Sequence, residues 1–187
     1  GGYFIDYLLD KKVKEIRVFS RDELKQDDMR LRLQNSKVKF YIGDVRDRSS
    51  VDDATPGVDY VFHAAALKHV PVAEYNPFEV IKTNVYGSQN VLDVSMDEEV
   101  DLCLAISTDK AVNPIGVMGA TKLLGEKLIS AESSHKSNTI FAVIDSNFFN
   151  PKDTVLFPSN GFNSPILSPD AYILNKVMAM KSNGFGF

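Results

Sequence analysis

Apolar residues recur at helical spacing over residues 3–9 (YFIDYLL), and the next apolar run, Glu15 to Ser20 (EIRVFS), alternates with period two. The chain therefore predicts a helix that passes directly into a strand. Further strands are predicted at Val38 to Ile42 (VKFYI), which ends in Gly43-Asp44, and at Val58 to His63 (VDYVFH), which ends in three alanines, and then at Leu102 to Ile106 and Thr139 to Ile144. Between them lie polar, helix-compatible segments at 22–33 and 47–55, a long helical pattern from Pro77 to Asp97, and another from Val117 to Glu132. Strands alternating with helices predict βαβ units and a parallel sheet. From Asp145 onward Asn, Pro, Ser, Gly and Phe dominate, with prolines at 151, 158, 165 and 169, and the pattern predicts loop with one helix, Asp170 to Lys181.

Composition changes this picture little. The chain has 187 residues, 44% of them hydrophobic, and 21 Lys+Arg stand against 25 Asp+Glu for a net charge of −4. At about 150 residues per domain this is one ordinary soluble domain with a remainder. Mild acidity argues against a nucleic-acid partner, which selects a basic surface. The single cysteine, Cys103, allows no internal disulfide framework and fits a reducing, cytoplasmic setting. No run reaches the roughly 18 to 20 apolar residues of a membrane span. The chain opens on Gly1-Gly2-Tyr3 with neither an initiator methionine nor a signal-peptide pattern, and the expectation is a chain cut at its front.

In an open α/β sheet, ligands bind beyond the carboxyl ends of the strands. The first such end carries Ser20-Arg21-Asp22-Glu23-Leu24-Lys25. In a dinucleotide fold an arginine here favours a ribose 2′-phosphate, and so NADP, although a solvated loop arginine reads the same way. Asp44-Val45 follows the next strand, where a carboxylate can accept from an adenine amino group or simply make a turn. Ala64 to Ala66 suit either the close passage of a bulky ligand or tight helix packing. The fourth end, Ser107-Thr108-Asp109-Lys110, puts two hydroxyls, a carboxylate and an amine at the mouth of a buried strand, a set that can polarise a hydroxyl and move protons both ways. On the helix that follows, Met118 and Lys122 stand four apart on one face. Lys122 can hold a nicotinamide ribose, or be a surface lysine. The histidines have no second ligand at metal spacing, and no metal is expected.

These runs carry a resemblance. Phe19 to Arg30 (FSRDELKQDDMR), Gly43 to Asp47 (GDVRD), His63 to Val91 (HAAALKHVPVAEYNPFEVIKTNVYGSQNV) and Ser107 to Lys127 (STDKAVNPIGVMGATKLLGEK) resemble, in order, the inverting UDP-N-acetylglucosamine 4,6-dehydratases. These are extended short-chain dehydrogenase/reductases of bacterial surface-polysaccharide biosynthesis. The resemblance covers residues 2–144 and implies an α/β fold, a Rossmann-like doubly wound parallel sheet lacking the first strand and glycine-rich loop. Residues 1–144 would be the NADP-binding domain, and 145–187 a tail that matches nothing in the family. The implied reaction is internal redox: oxidation at C4 of the hexose, loss of the 6-hydroxyl, and reduction at C6 with inversion at C5.

Carried over position by position, the resemblance places NADP against Ser20, Arg21, Asp22, Glu23, Leu24, Lys25, Asp44, Val45, Ala64, Lys68 and Lys122. It places the substrate, UDP-N-acetylglucosamine, against Lys68, Ser107 and Thr108. Asp109 and Lys110 would be the acid and base of elimination and inversion, with Lys122 the third catalytic residue. The whole enzyme would be a homo-oligomer. Where many superfamily members have a tyrosine base, this chain has Met118, which cannot take a proton; one branch of the family shares that methionine. Only Gly1 or Gly2 could remain of the glycine loop, and the loss of a central strand is expected to leave two neighbours with unpaired backbone groups. A UDP-hexose 4-epimerase, or a non-catalytic nucleotide-binding remnant, are the alternative readings.

Overall fold

The computed structural model describes residues 2–11, 13–133, 138–145 and 177–181. In chain order the elements are α1 (Gly2–Leu9), β1 (Glu15–Ser20), α2 (Glu23–Leu33), β2 (Val38–Ile42), α3 (Arg48–Ala54), β3 (Tyr60–His63), α4 (Val70–Tyr75), α5 (Pro77–Ile81), α6 (Gly87–Asp97), β4 (Leu102–Ser107), α7 (Val117–Glu132), β5 (Ile140–Asp145) and β6 (Val177–Lys181). A π-helical turn, Lys82–Tyr86, joins α5 to α6, and a 3-10 turn, Asp109–Ala111, follows β4.

The sheet order is β2-β1-β6-β3-β4-β5. The β1/β2, β3/β4 and β4/β5 pairs are parallel, as the alternation of strands and helices requires. Side chains alternate across β1: Ile16 and Val18 pack under α1 with Phe4, Ile5 and Leu8, while Phe19 enters the opposite core with Val51, Val61, Val91, Leu92 and Cys103. Phe4 of α1 meets Phe62 of β3 edge to face at 4.9 Å. Each of the buried apolar side chains among these contributes about 1.5–3 kcal/mol over an exposed one, and Phe62, partly buried, contributes less. Burial on both sides gives the doubly wound arrangement.

Two expectations are corrected. The helix predicted over Asp170 to Lys181 is not formed at its end: residues 170–176 lie outside the described residues, and Val177–Lys181 is a strand. It runs antiparallel between β1 and β3, with Ala179 opposite both Arg17 and Val61. The physical reason is that β1 and β3 each offer a row of backbone groups at the centre of the sheet, and satisfying both rows outweighs the weak helical preference of five residues. β1 and β3 are therefore not left with open inner edges. Because β6 runs against its neighbours, its first residue, Val177, lies level with Phe19 and His63 at the end where the other strands finish.

Smaller differences concern breaks in long patterns. The strand predicted from Val58 begins at Tyr60, since Val58 N–H is turned back to Thr55 O at 3.0 Å. The single helix predicted from Pro77 to Asp97 is interrupted by the π turn, which periodicity alone does not reveal. α4 has no counterpart in the sequence reading.

Candidate active site

The carboxyl ends of β1, β2, β3 and β4 form one mouth, and the predicted residues line it in three groups. At the first, β1 and β2 end side by side: Gly43 N–H donates to Ser20 O at 3.2 Å. A Cβ at Gly43 would lie 2.4 Å from the Phe19 ring, so only glycine lets the strands close here. The buried Gln26 side chain donates from Nε2 to Ser20 O and Tyr41 O, tying α2 to both strand ends. Arg21 Nη1 lies 3.3 Å from Asp44 Oδ2, and Arg46 Nη2 lies 2.6 Å from the same oxygen. Arg46 Nη1 continues to Glu79 Oε2 at 2.7 Å, and Glu79 Oε1 to Lys82 Nζ at 2.8 Å. Partial burial pushes Asp44 up, but the hydrogen bonds from Arg46 and the charges of both arginines outweigh it and hold the carboxyl below its ordinary range.

The rest of the predicted cofactor set divides by environment. Asp22 caps α2 by accepting from Lys25 N at 3.0 Å, and its other oxygen meets Lys25 Nζ at 2.7 Å. Glu23 and Leu24 are exposed. Val45 is buried against Gly87, and its carbonyl accepts from Asn90 Nδ2 at 2.8 Å.

At the second group, past β3, Ala64 is buried and Lys68 is exposed. The loop between them is clamped by Asn84, which accepts from Leu67 N at 2.7 Å and donates to Leu67 O at 2.9 Å and Thr121 Oγ1 at 3.1 Å. The π turn brings this asparagine inward. His63 Nε2 lies 2.8 Å from Ser88 Oγ, whose single proton goes to Asn84 O at 2.7 Å, so the imidazole is the donor. Burial, helped by the charge of Lys122, takes His63 down to about 3, and it is neutral at ordinary pH.

The third group follows β4. Ser107, buried at 5% exposure, donates its hydroxyl to Glu126 Oε1 on α7. Thr108 Oγ1 donates to Asp109 Oδ1 at 2.8 Å, and Lys110 Nζ lies 3.7 Å from that oxygen, with both charged side chains half exposed. The Thr108 hydroxyl and the Lys110 charge hold Asp109 below the usual carboxylate range. Lys122 Nζ donates to Ile106 O at 2.8 Å; burial pulls its ammonium down to about 8, against the opposing pull of Glu126. α7 reaches this position because Gly119 lies against the Lys110 carbonyl, where a Cβ would come within 2.4 Å. The N-terminus of α7 is capped from α4, by Glu74 Oε1 accepting from Val117 N at 2.8 Å.

Met118 is buried with Ala73 and Val80, an apolar packing residue one turn before Lys122. Reading the sequence missed four residues here. Arg46 stands inside the GDVRD run, Glu126 is four residues beyond Lys122, and Asn84 and Ser88 are buried polar positions in a helical stretch; only the first two carry a spacing signal.

A nicotinamide dinucleotide fits this mouth at its flanks. Two guanidinium groups converge at the β1/β2 ends, where an adenosine ribose would lie, small residues line the β3 end, and a lysine stands between β4 and α7.

The fold is the Rossmann-like one of nucleotide-sugar epimerases and dehydratases. A UDP-glucose 4-epimerase matches with a TM-score of 0.64 at 25% identity, over 78% of this chain and 47% of that one. DesIV, a dTDP-glucose 4,6-dehydratase from Streptomyces venezuelae solved with NAD bound, matches at 0.71 and 21% identity, over 78% of this chain and 51% of that one. Pen from Bacillus thuringiensis matches at 0.76 and 37% identity, over 78% and 45%.

Residues 1–149 match the family described as polysaccharide biosynthesis protein, and the chain belongs to that family. It is 58% identical over 125 residues to a UDP-glucose 4-epimerase of Rickettsia prowazekii (strain Madrid E), covering 67% of this chain and 37% of the relative. Over 134 residues it is 55% identical to a UDP-glucose 4-epimerase of Rickettsia canadensis (strain McKiel), covering 72% and 39%. The chain thus spans about two fifths of the length of the curated relatives it matches. Among the described residues no helix is long and apolar enough to cross a membrane.

Proposed function

We propose that the protein carries the cofactor half of an NADP-dependent nucleotide-sugar dehydratase that acts on UDP-N-acetylglucosamine, oxidising C4, eliminating the 6-hydroxyl and inverting C5. The observation that carries this reading is the Asp109–Lys110 pair, 3.7 Å apart beside Ser107 and Thr108 at the end of β4. Elimination needs a proton removed at C5 and a proton delivered to the departing hydroxyl. Oxidation and re-reduction at a single carbon needs neither. A carboxylate and an ammonium in contact can exchange a proton between those two tasks within one cycle.

The bound cofactor would supply a reversible hydride acceptor. Arg21 and Arg46 would hold its 2′-phosphate, since a guanidinium presents paired donors suited to a phosphate. Asp44 orients both arginines, Ala64 leaves room for the backbone to pass close, and Lys122 would hold the nicotinamide ribose. Lys68, Ser107 and Thr108 would orient the sugar. Once the Lys110 proton has passed to Asp109, Asp109 would protonate the leaving hydroxyl and the neutral Lys110 amine would take the C5 proton.

A second reading, a UDP-hexose 4-epimerase, is favoured by the names of the curated relatives. Product mass separates the two. Incubation of the full-length enzyme, of which this chain would be the cofactor half, with NADP+ and UDP-N-acetylglucosamine is expected to give a product lighter by one water; a product of unchanged mass, epimeric at C4, sinks the dehydratase reading. Lys110→Ala is expected to abolish water loss and leave NADP+ affinity unchanged.

A further inference from the structure

We infer that Ser107 and Glu126 form a relay that accepts the proton of the sugar hydroxyl being oxidised, with Glu126 the positioning residue behind Ser107. The inference rests on the reading of this mouth as a site that oxidises C4 of a nucleotide sugar.

The argument begins with proton bookkeeping. Ser107 has one hydroxyl proton, and it is donated to Glu126 Oε1. Toward any other partner the Ser107 oxygen is therefore an acceptor, so a sugar hydroxyl meeting it must act as the donor. That is the polarity needed to remove the hydroxyl proton. The bond is charge-assisted and partly buried, which makes it strong and directional.

The other groups nearby are unsuited to the task. Met118 is packed against Ala73 and Val80 and carries no basic atom. Lys122 is the nearest amine on α7, but its Nζ already donates to Ile106 O, and its positive charge acts on Glu126 one turn further along the same helix. His63 spends Nε2–H on Ser88 and lies at the end of β3. Asp109 is engaged by Thr108 and Lys110. Glu126 is then the carboxylate with a direct hydrogen-bonded path, through Ser107, to the end of β4.

In the step, the sugar O4–H bond breaks and its proton passes to Ser107 Oγ. The proton already on Ser107 passes to the Glu126 carboxylate. A bound oxidised nicotinamide would supply the acceptor for the C4 hydride, so that the C4–O bond becomes a carbonyl. When hydride returns, the same path runs backwards if C4 is re-reduced, or Glu126 gives its proton to solvent if it is not.

The test uses the full-length enzyme that contains this chain as wild type, Ser107→Ala, Glu126→Gln and Glu126→Asp, with NADP+ and UDP-N-acetylglucosamine. Proton NMR of the protein alone is expected to show a downfield, slowly exchanging hydroxyl resonance that vanishes in Ser107→Ala and moves upfield in Glu126→Gln. In turnover, kcat is expected to fall about 100-fold in both of those variants with KM changed less than about twofold, and Glu126→Asp is expected to recover about tenfold of the loss. An unmoved resonance in Glu126→Gln, or wild-type kcat in that variant, overturns the relay. If the wild type oxidises no UDP-sugar, the proposed function fails and the catalytic relay with it; the resonance then still reports whether the Ser107–Glu126 bond exists.

Discussion

Replacing Lys122 with methionine tests how the site is held. The ammonium is taken from an ordinary value of 10.5 down to about 8 by burial beneath the end of β4. At about 1.36 kcal/mol for each unit, carrying this charge costs the fold about 3 kcal/mol at pH 7. The sign follows from proton counts: between pH 8 and 10.5 the unfolded chain still binds the Lys122 proton and the folded chain has released it, so wild-type stability rises with pH through that window. Cys103 works in the opposite direction, because burial pushes its thiol from 9.0 up to about 12, and the stability of the neutral thiol is lost as pH rises. Both proteins contain Cys103, so its contribution cancels in their difference. Urea unfolding of wild type and Lys122→Met at pH 7 and at pH 10 gives four free energies. Wild type is expected to gain about 2–3 kcal/mol relative to the variant between the two pH values. Losing the bond to Ile106 O shifts the variant by a similar amount at both pH values and leaves this double difference intact. Two pH profiles that run parallel within about 0.5 kcal/mol would refute a buried, charged Lys122.

Three further outcomes are expected. Asn84→Ala removes a buried side chain that makes three hydrogen bonds to Leu67 and Thr121, and should cost about 2–4 kcal/mol in urea unfolding; a loss below about 0.5 kcal/mol would show that the loop does not need the clamp. Arg21→Ala together with Arg46→Ala should weaken NADP+ binding about 10- to 100-fold by calorimetry while leaving NAD+ affinity within about threefold, and equal losses for both cofactors would remove the 2′-phosphate from this corner. Ala179→Pro takes a ladder donor from the centre of the sheet and should cost at least about 3 kcal/mol, with amide exchange in β1 and β3 accelerated; unchanged protection there would mean that β6 does not stand between them.

Most of the architecture is legible in the pattern because it is local. β1, β2, β4 and β5 each announce themselves as short apolar runs, and the candidate site is proposed from the rule that ligands lie beyond strand ends. What escapes the pattern depends on contacts distant in sequence. Val177–Lys181 becomes a strand because of two edges more than a hundred residues away, one of them at Arg17 and the other at Val61. The π turn at Lys82–Tyr86 leaves helical periodicity almost undisturbed, yet it turns Asn84 toward Leu67. Met118 shows the opposite case: its chemistry excludes it as a base from sequence alone, but only packing shows that Ala73 and Val80 cover it. Glu126 sat in plain view four residues past Lys122, and its meaning appears only with the Ser107 hydroxyl pointed at it.

The central claim is that the end of β4 carries out elimination on an oxidised nucleotide sugar. The most direct measurement follows UDP-N-acetylglucosamine and millimolar NADP+ with the purified full-length enzyme in deuterated water, by mass spectrometry and proton NMR. The account predicts a product lighter by one water apart from deuterium, with deuterium introduced at C5 and the 6-carbon reduced to a methyl group. A product that keeps its 6-hydroxyl and differs only in configuration at C4 would contradict it.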